Sequence, residues 1–263
     1  MDMKTLDRDG TKLAYLDSGG AGRPVALIHG WCCDHSFFEP QLQHFARDGR
    51  RVVAFDLRGH GASAAPEGRY GMDTFADDVA WGLEKLGVRH PVVIGHSMGG
   101  IIAFELAARY PDLPSAIVML DSSVVRPAAS AAAVDGIIRA LAGPDRVKTM
   151  RDYVNAALFI PTDDPVRRAQ LLDNMASAQP HVVVSAMEGM RDYDPQRARG
   201  KIKAPSLYIA ADEPGPRSDM AALRDLLPEL AFGQTVGSGH FCQLEVPDQV
   251  NAMIGRFLQI QSV

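Results

Sequence analysis

Ser97 stands in the run Val92-Val93-Ile94-Gly95-His96-Ser97-Met98-Gly99-Gly100, an apolar strand that enters a Gly-x-Ser-x-Gly turn and leaves it as a helical pattern. A serine hydroxyl at its own pKa is a poor nucleophile. It attacks a carbonyl only with a base beside it, donors for the developing oxyanion, and a backbone that holds the oxygen out. A strand, a sharp turn and a helix supply that pose. Gly95 and Gly99 leave room for the strained turn, and Gly100 lets the helix come close. Small residues in an ordinary turn would be inert; the order of the flanking elements makes Ser97 a candidate nucleophile.

The elements that must hold this turn follow from periodicity. An N-terminal hairpin (Met3 to Arg8, Lys12 to Asp17) precedes apolar runs at Val25 to Ile28, Val52 to Phe55, Val92 to Ile94 and Ala116 to Leu120. Helical patterns lie between them near Asp34 to Ala46, Asp73 to Leu86 and Gly99 to Tyr110. Such alternation predicts a mostly parallel sheet covered on both faces. It stops after Asp121, and residues 122 to about 200 read as a helical insertion. Val134, Ile137, Ile138 and Leu141 fall at helical spacing, as do Val183, Ala186, Met187 and Met190, and Asp164-Pro165 opens a helix through Met175. The Ala-rich Ala128 to Ala133 marks a hinge or a helix start. Alternation resumes with a strand at Ser206 to Ala210, a helix near Ser218 to Leu227, a strand near Phe232 to Val236 and a helix from Pro247 onward. The expected division is therefore a core of residues 1–121 and 201–263 and a cap of residues 122–200.

With 263 residues, 46% of them hydrophobic, the chain can bury a full core. No apolar run approaches the roughly 20 residues of a spanning helix. Met1-Asp2-Met3-Lys4-Thr5 lacks the apolar segment of a secretory signal, so a cytoplasmic location is expected. A net charge of −5, with basic pairs only at Arg50-Arg51 and Arg167-Arg168, argues against nucleic acid as a partner. Cys32, Cys33 and Cys242 have no Cys-x-x-Cys spacing for zinc or redox work and read as reduced, buried thiols.

With its elements in this order the chain resembles the α/β-hydrolase superfamily along essentially its whole length. His29-Gly30-Trp31 after the third strand, Gly95-His96-Ser97-Met98-Gly99 after the fifth and Gly239-His240-Phe241 after the last carry the likeness. Asp56-Leu57-Arg58-Gly59-His60-Gly61 is a softer match. The resemblance implies an α/β fold with an eight-stranded, mostly parallel sheet and a helical cap after strand six. It implies an oxyanion hole from the backbone N–H groups of Trp31 and Met98, and a general base, His240, last in the chain order serine, acid, histidine. His181, the other histidine after Asp121, falls in the predicted insertion. Asp56 to Gly61 reads as a structural loop.

Two strand ends offer the acid that would hold the histidine: Asp121 after strand six and Asp212 after strand seven. The usual strand-seven pattern has a glycine and an acid about three residues on. Ala210-Ala211-Asp212-Glu213-Pro214 departs from it, which favours Asp121, similar to the strand-six acid of some lactonases and cofactor-free dioxygenases. A serine nucleophile argues against the branches that attack halides or epoxides with an aspartate. The expected activity is hydrolysis of a small, apolar carboxylic ester or lactone, with no metal or organic cofactor. The alternatives are a cofactor-free oxygenase of heteroaromatic rings, against which Met98 counts, and a ligand-binding receptor module. Met150, Phe159, Met175, Met187 and Met190 suggest an apolar pocket, with core packing as their default; Arg126, Arg139 and Arg191 are candidates to meet a carboxylate, with exposure as theirs.

Overall fold

The computed structural model describes all 263 residues except the side chains of Ala129, Ala131 and Ala132, which lie in the Ala-rich run. Strands β1 (Lys4–Arg8) and β2 (Thr11–Asp17) form the expected hairpin. They are followed by β3 (Gly22–Ile28), α1 (Glu39–Arg47), β4 (Arg50–Phe55), α2 (Met72–Lys85), β5 (Val92–His96), α3 (Met98–Arg109) and β6 (Ala116–Leu120). Four helices come next: α4 (Ala128–Leu141), α5 (Arg146–Ala157), α6 (Pro165–Ala176) and α7 (Pro180–Arg191). The chain then returns through β7 (Ser206–Ala210), α8 (Met220–Leu226), β8 (Ala231–Gln234), the short α9 (Cys242–Glu245) and α10 (Pro247–Ile260).

The eight strands make one sheet in the order β1-β2-β4-β3-β5-β6-β7-β8. Only the β1–β2 and β2–β4 pairs are antiparallel. Successive side chains point to opposite faces of a strand, and the core divides accordingly. Val25 and Leu27, Val92 and Ile94, and Val118 and Leu120 pack with α1 and α10. Ala26 and Ile28, Val93, and Ile117 and Met119 pack with α2, α3 and the four-helix segment. Burial on both faces is why these strands read as unbroken apolar runs.

The helices owe their boundaries to local chemistry. Asp34 does not open α1 directly: its carboxylate accepts the Ser36 N–H, capping a 3₁₀ turn over His35–Phe38, and α1 follows. Asp164 caps α6 by accepting the Arg167 N–H at 2.7 Å, with Pro165 at the first helical position. Asp219 caps α8, which is shorter than its sequence pattern. α10 buries Val250, Ile254, Phe257 and Leu258, one stripe at helical spacing. Among the described residues no helix is long and apolar enough to cross a membrane.

The order in which strands are added reverses at β3, with β4 on one side and β5 on the other, both parallel to it. In a sheet of this kind the crevice beyond the strands' carboxyl ends at such a point is where ligands bind. The loops after β3 and β5 open there, next to the end of β6.

Candidate active site

Ser97 follows the last residue of β5 and caps α3 with φ 55° and ψ −119°, a backbone that costs a non-glycine residue of order 1–3 kcal/mol. The surroundings hold it there. Its N–H donates to Leu120 O at 2.9 Å, and its carbonyl accepts from Gly100 N–H at 3.0 Å and from the Ser122 hydroxyl at 2.7 Å. A Cβ on Gly95 would strike the Gly99 carbonyl, and one on Gly99 would strike the Ile28 carbonyl. The glycines are thus required by close approach of backbone to backbone.

The loop after β3 lies against this turn. A Cβ on Gly30 would stand 3.2 Å from Ser97 Cβ and 3.3 Å from His96 Nδ1. His29 fixes the loop from below: its Nε2 accepts the Leu57 N–H at 2.9 Å, so Nδ1 carries the proton donated to Gly30 O at 2.8 Å. Burial holds the His29 pKa below its ordinary value, in keeping with that neutral tautomer. Trp31 is buried, its ring edge on Tyr153 and its indole N–H donating to Val183 O of α7 at 3.0 Å. Cys32 turns the chain with φ 56°. Met98 is the first residue of α3, where a backbone N–H has no intrahelical acceptor.

His240 lies in the loop between β8 and α9 and is 3% exposed. Its Nδ1 meets Asp121 Oδ2 at 2.6 Å, and its carbonyl accepts the His96 Nε2–H at 2.8 Å. Asp121, with φ 42° at the end of β6, also accepts the Ala211 N–H on Oδ1 at 3.1 Å. Burial works to raise the Asp121 pKa. The hydrogen bond and charge of His240, and Arg217, outweigh it and leave the carboxyl at about 2. An acid ionised at neutral pH can only accept here, so His240 Nδ1 carries the proton and Nε2 keeps its lone pair. Burial, then the charge of Arg217, bring the His240 pKa down to about 4 against the opposing pull of Asp121.

The structure thus brings Asp121, not Asp212, to the histidine. Asp212 is exposed; its carboxylate accepts the Gly237 N–H at 2.8 Å and steadies the loop after β8. His181 sits in α7 against Tyr70. Asp56 is buried and accepts from the His35 and Ala62 N–H groups and from His35 Nδ1, each at 2.8 Å, which ties down the loop after β4.

Arg217 escapes sequence reading. Its Nε donates to the same Asp121 Oδ2 at 2.7 Å, and a terminal nitrogen donates to Ala157 O at 2.8 Å and Glu213 Oε1 at 2.6 Å. Most arginines are exposed, so the one available signal is the i, i+4 spacing of Glu213 and Arg217.

Of the residues considered for a pocket, Met150, Met175 and Met187 are buried in the core. Phe159 packs in a tilted pair with Phe241, next to His240, with ring centres 5.4 Å apart, and Met190 is partly buried. Arg139 is exposed, and Arg191 pairs with Asp135 and Asp192. Arg126 is half-buried and donates to Met190 O at 3.0 Å. A cavity of about 510 Å³, lined by Cys32, Asp34, His60, Asn174 and Gln179 among others, opens beside the loop that carries Trp31. All three cysteines are buried and unpaired, and burial raises their pKa values. Among the described residues no group of three or more His, Cys, Asp or Glu side chains is arranged for a metal.

Residues 23–142 match the family model described as alpha/beta hydrolase fold. The chain is 29% identical to the AB hydrolase superfamily protein YisY of Bacillus subtilis over 92% of its own length and 94% of that protein. It is 42% identical to the bifunctional esterase/perhydrolase DCH of Acinetobacter calcoaceticus over 44% of its length and 43% of that protein. Among solved structures, a thermophilic esterase from Thermogutta terrifontis superposes with a TM-score of 0.86 at 24% identity, covering 100% of both chains.

Proposed function

The chain belongs to the α/β-hydrolase superfamily, and from that premise we propose that it is a serine hydrolase of small carboxylic esters or lactones. The Nδ1–Oδ2 contact of 2.6 Å between His240 and Asp121, formed next to the strained Ser97 turn, carries this reading. The esterase named among its relatives supports it.

In the proposed reaction Ser97 Oγ attacks the substrate carbonyl while His240 Nε2 takes its proton. Asp121 holds the ring in the Nδ1–H tautomer and stabilises the imidazolium. The backbone N–H groups of Trp31 and Met98 receive the oxyanion. Backbone donors cost no reorganisation during the reaction, and losing one such donor elsewhere costs about 10²–10³ in rate. Collapse of the tetrahedral intermediate expels the alcohol, which takes the proton from His240. Water then attacks the acyl-enzyme with His240 again as base, and the acid leaves Ser97 free. Residues 122–200 act as a cap that sets specificity, with Phe159 and Phe241 as an apolar wall beside His240.

Hydrolysis of short- and medium-chain nitrophenyl esters and of several lactones by wild type and Ser97→Ala tests this reading. Turnover that disappears with Ser97, by roughly 10⁵–10⁶, is expected. Folded wild-type protein inert on the whole panel would overturn it. Oxygen uptake with a hydroxyquinolone would then examine the other chemistry open to a histidine paired with a strand-six acid.

A further inference from the structure

Asp121 Oδ2 is shared by two donors. His240 Nδ1 approaches at 2.6 Å and Arg217 Nε at 2.7 Å, while Oδ1 takes the Ala211 N–H. Three chain segments therefore hold one carboxylate: the histidine loop, the end of β7 and the connection from β7 to α8. The carboxylate cannot rotate without breaking bonds to all of them. Arg217 is itself fixed by Ala157 O at the end of α5 and by Glu213, and its side chain is only 21% exposed.

A guanidinium here has an electrostatic cost for general-base chemistry. A cation near His240 disfavours the imidazolium that must form when Ser97 gives up its proton. The pair Asp121–Arg217 alone is neutral. Glu213, 19% exposed and 2.6 Å from Arg217, adds a second carboxyl to the cluster; burial pushes its pKa up while Arg217 pulls it back, and in its ionised form it restores one net negative charge.

The other groups facing His240 do not do this. His96, from the end of β5, lies with its ring centre 4.6 Å from that of His240, the planes tilted, and donates its Nε2–H to the His240 carbonyl; burial keeps it neutral. The Cys242 thiol is buried and its pKa raised. On the loop itself Glu245 Oε2 accepts the Gly239 N–H at 2.6 Å, and Asp163, from the connection between α5 and α6, abuts Gly239. Burial and Asp163 raise the Glu245 pKa to about 8, which leaves that carboxyl protonated at neutral pH.

We propose that Arg217 and Glu213 are positioning residues of this site: Arg217 fixes the Asp121 carboxylate that orients His240, and Glu213 offsets its charge, so that the pair sets the pH range in which His240 works as a base. The inference rests on the assignment of Ser97, His240 and Asp121 to the reaction.

The test is the pH dependence of kcat/KM for nitrophenyl acetate in wild type, Arg217→Met, Arg217→Lys and Glu213→Gln. Removing the cation should move the acid limb of Arg217→Met to higher pH by about one unit, a tenfold change in the protonation equilibrium of His240. Arg217→Lys should keep the wild-type limb while lowering kcat, because it retains the charge and loses the fork. Glu213→Gln should move the limb the opposite way, to lower pH. Limbs unchanged in Arg217→Met and Glu213→Gln, or displaced in the same direction, would overturn the inference. Should Arg217→Met fail to fold, an unmoved limb in Glu213→Gln overturns it alone. Ser97→Ala and Asp121→Asn run alongside separate the two levels. If they hydrolyse the ester as wild type does, the serine-hydrolase reading falls; if they are inert and the limbs stay put, only the roles of Arg217 and Glu213 fall.

Discussion

The ends of β6 and β7 lie side by side and each carries an aspartate, yet the two carboxylates live in different surroundings. Asp121 is buried, left-handed in backbone, and met by an imidazole, a guanidinium and an amide. Asp212 is exposed and accepts a single loop amide. A buried carboxylate is expensive unless donors surround it, and those same donors keep it ionised. A strand-end aspartate thus becomes an acid of the site through what packs around it, and the β7 end contributes Arg217 and Glu213 to its neighbour instead of supplying the carboxylate.

Asparagine at each position gives the sharpest contrast. Asp121→Asn is expected to lower kcat/KM by roughly 10⁴, since an amide can present His240 with the wrong tautomer. Asp212→Asn should stay within about threefold of wild type, the range of an exposed substitution. Steady-state kinetics on one ester decides between them, and the reverse ranking would break the comparison.

Trp31, in the loop after β3, gives a milder contrast. If Trp31 serves through its backbone N–H, its side chain matters for packing and for the bond to Val183. Trp31→Phe should therefore cost about 1–2 kcal/mol in chemical denaturation while kcat/KM falls by less than about tenfold. A loss of activity comparable to that of Asp121→Asn, in a folded variant, would give the indole itself a part in the reaction.

A third carboxylate sharpens the point from the opposite side. Glu245 is half-buried against Asp163, and burial first, then that carboxyl, raise its pKa to about 8 against the weaker pull of Arg167. Between its ordinary value and pH 8 the folded state binds more protons there than the unfolded state, so stability falls as pH rises through that window. Glu245→Gln removes this penalty. It should raise Tm at pH 8 by about 2–4 °C, near 1 kcal/mol for a chain of this size, and change it little at pH 4.5. His240 has the opposite sign: with its folded pKa lowered to about 4, its contribution is complete above its unfolded value near 6.5 and is lost as pH falls through 4.

Much of this architecture is legible in the sequence because β3, β5 and β6 are buried on both faces and read as short apolar runs between helices of clear periodicity. The Ser97 turn is legible because its glycines are demanded by backbone contacts, and the Gly239-His240 loop because a histidine there follows a strand and a turn that Gly237 makes with φ 72°. α5 is not, since it buries only Met150 and Val154, a stripe too narrow to stand out. The choice between Asp121 and Asp212 stays open on paper because both follow strands and only packing distinguishes them. Arg217 is illegible for the same reason: the bonds that bury it come from segments far apart in sequence.

The central claim, that Ser97 is a nucleophile driven by His240 and Asp121, is met most directly by mass spectrometry after reaction with a nitrophenyl phosphonate ester. One phosphonyl adduct per chain is expected, on the peptide that contains Ser97. The adduct should be absent from Ser97→Ala, form far more slowly in Asp121→Asn, and form at the wild-type rate in Asp212→Asn. An adduct on another residue, no adduct in folded wild-type protein, or undiminished labelling of Asp121→Asn would contradict it.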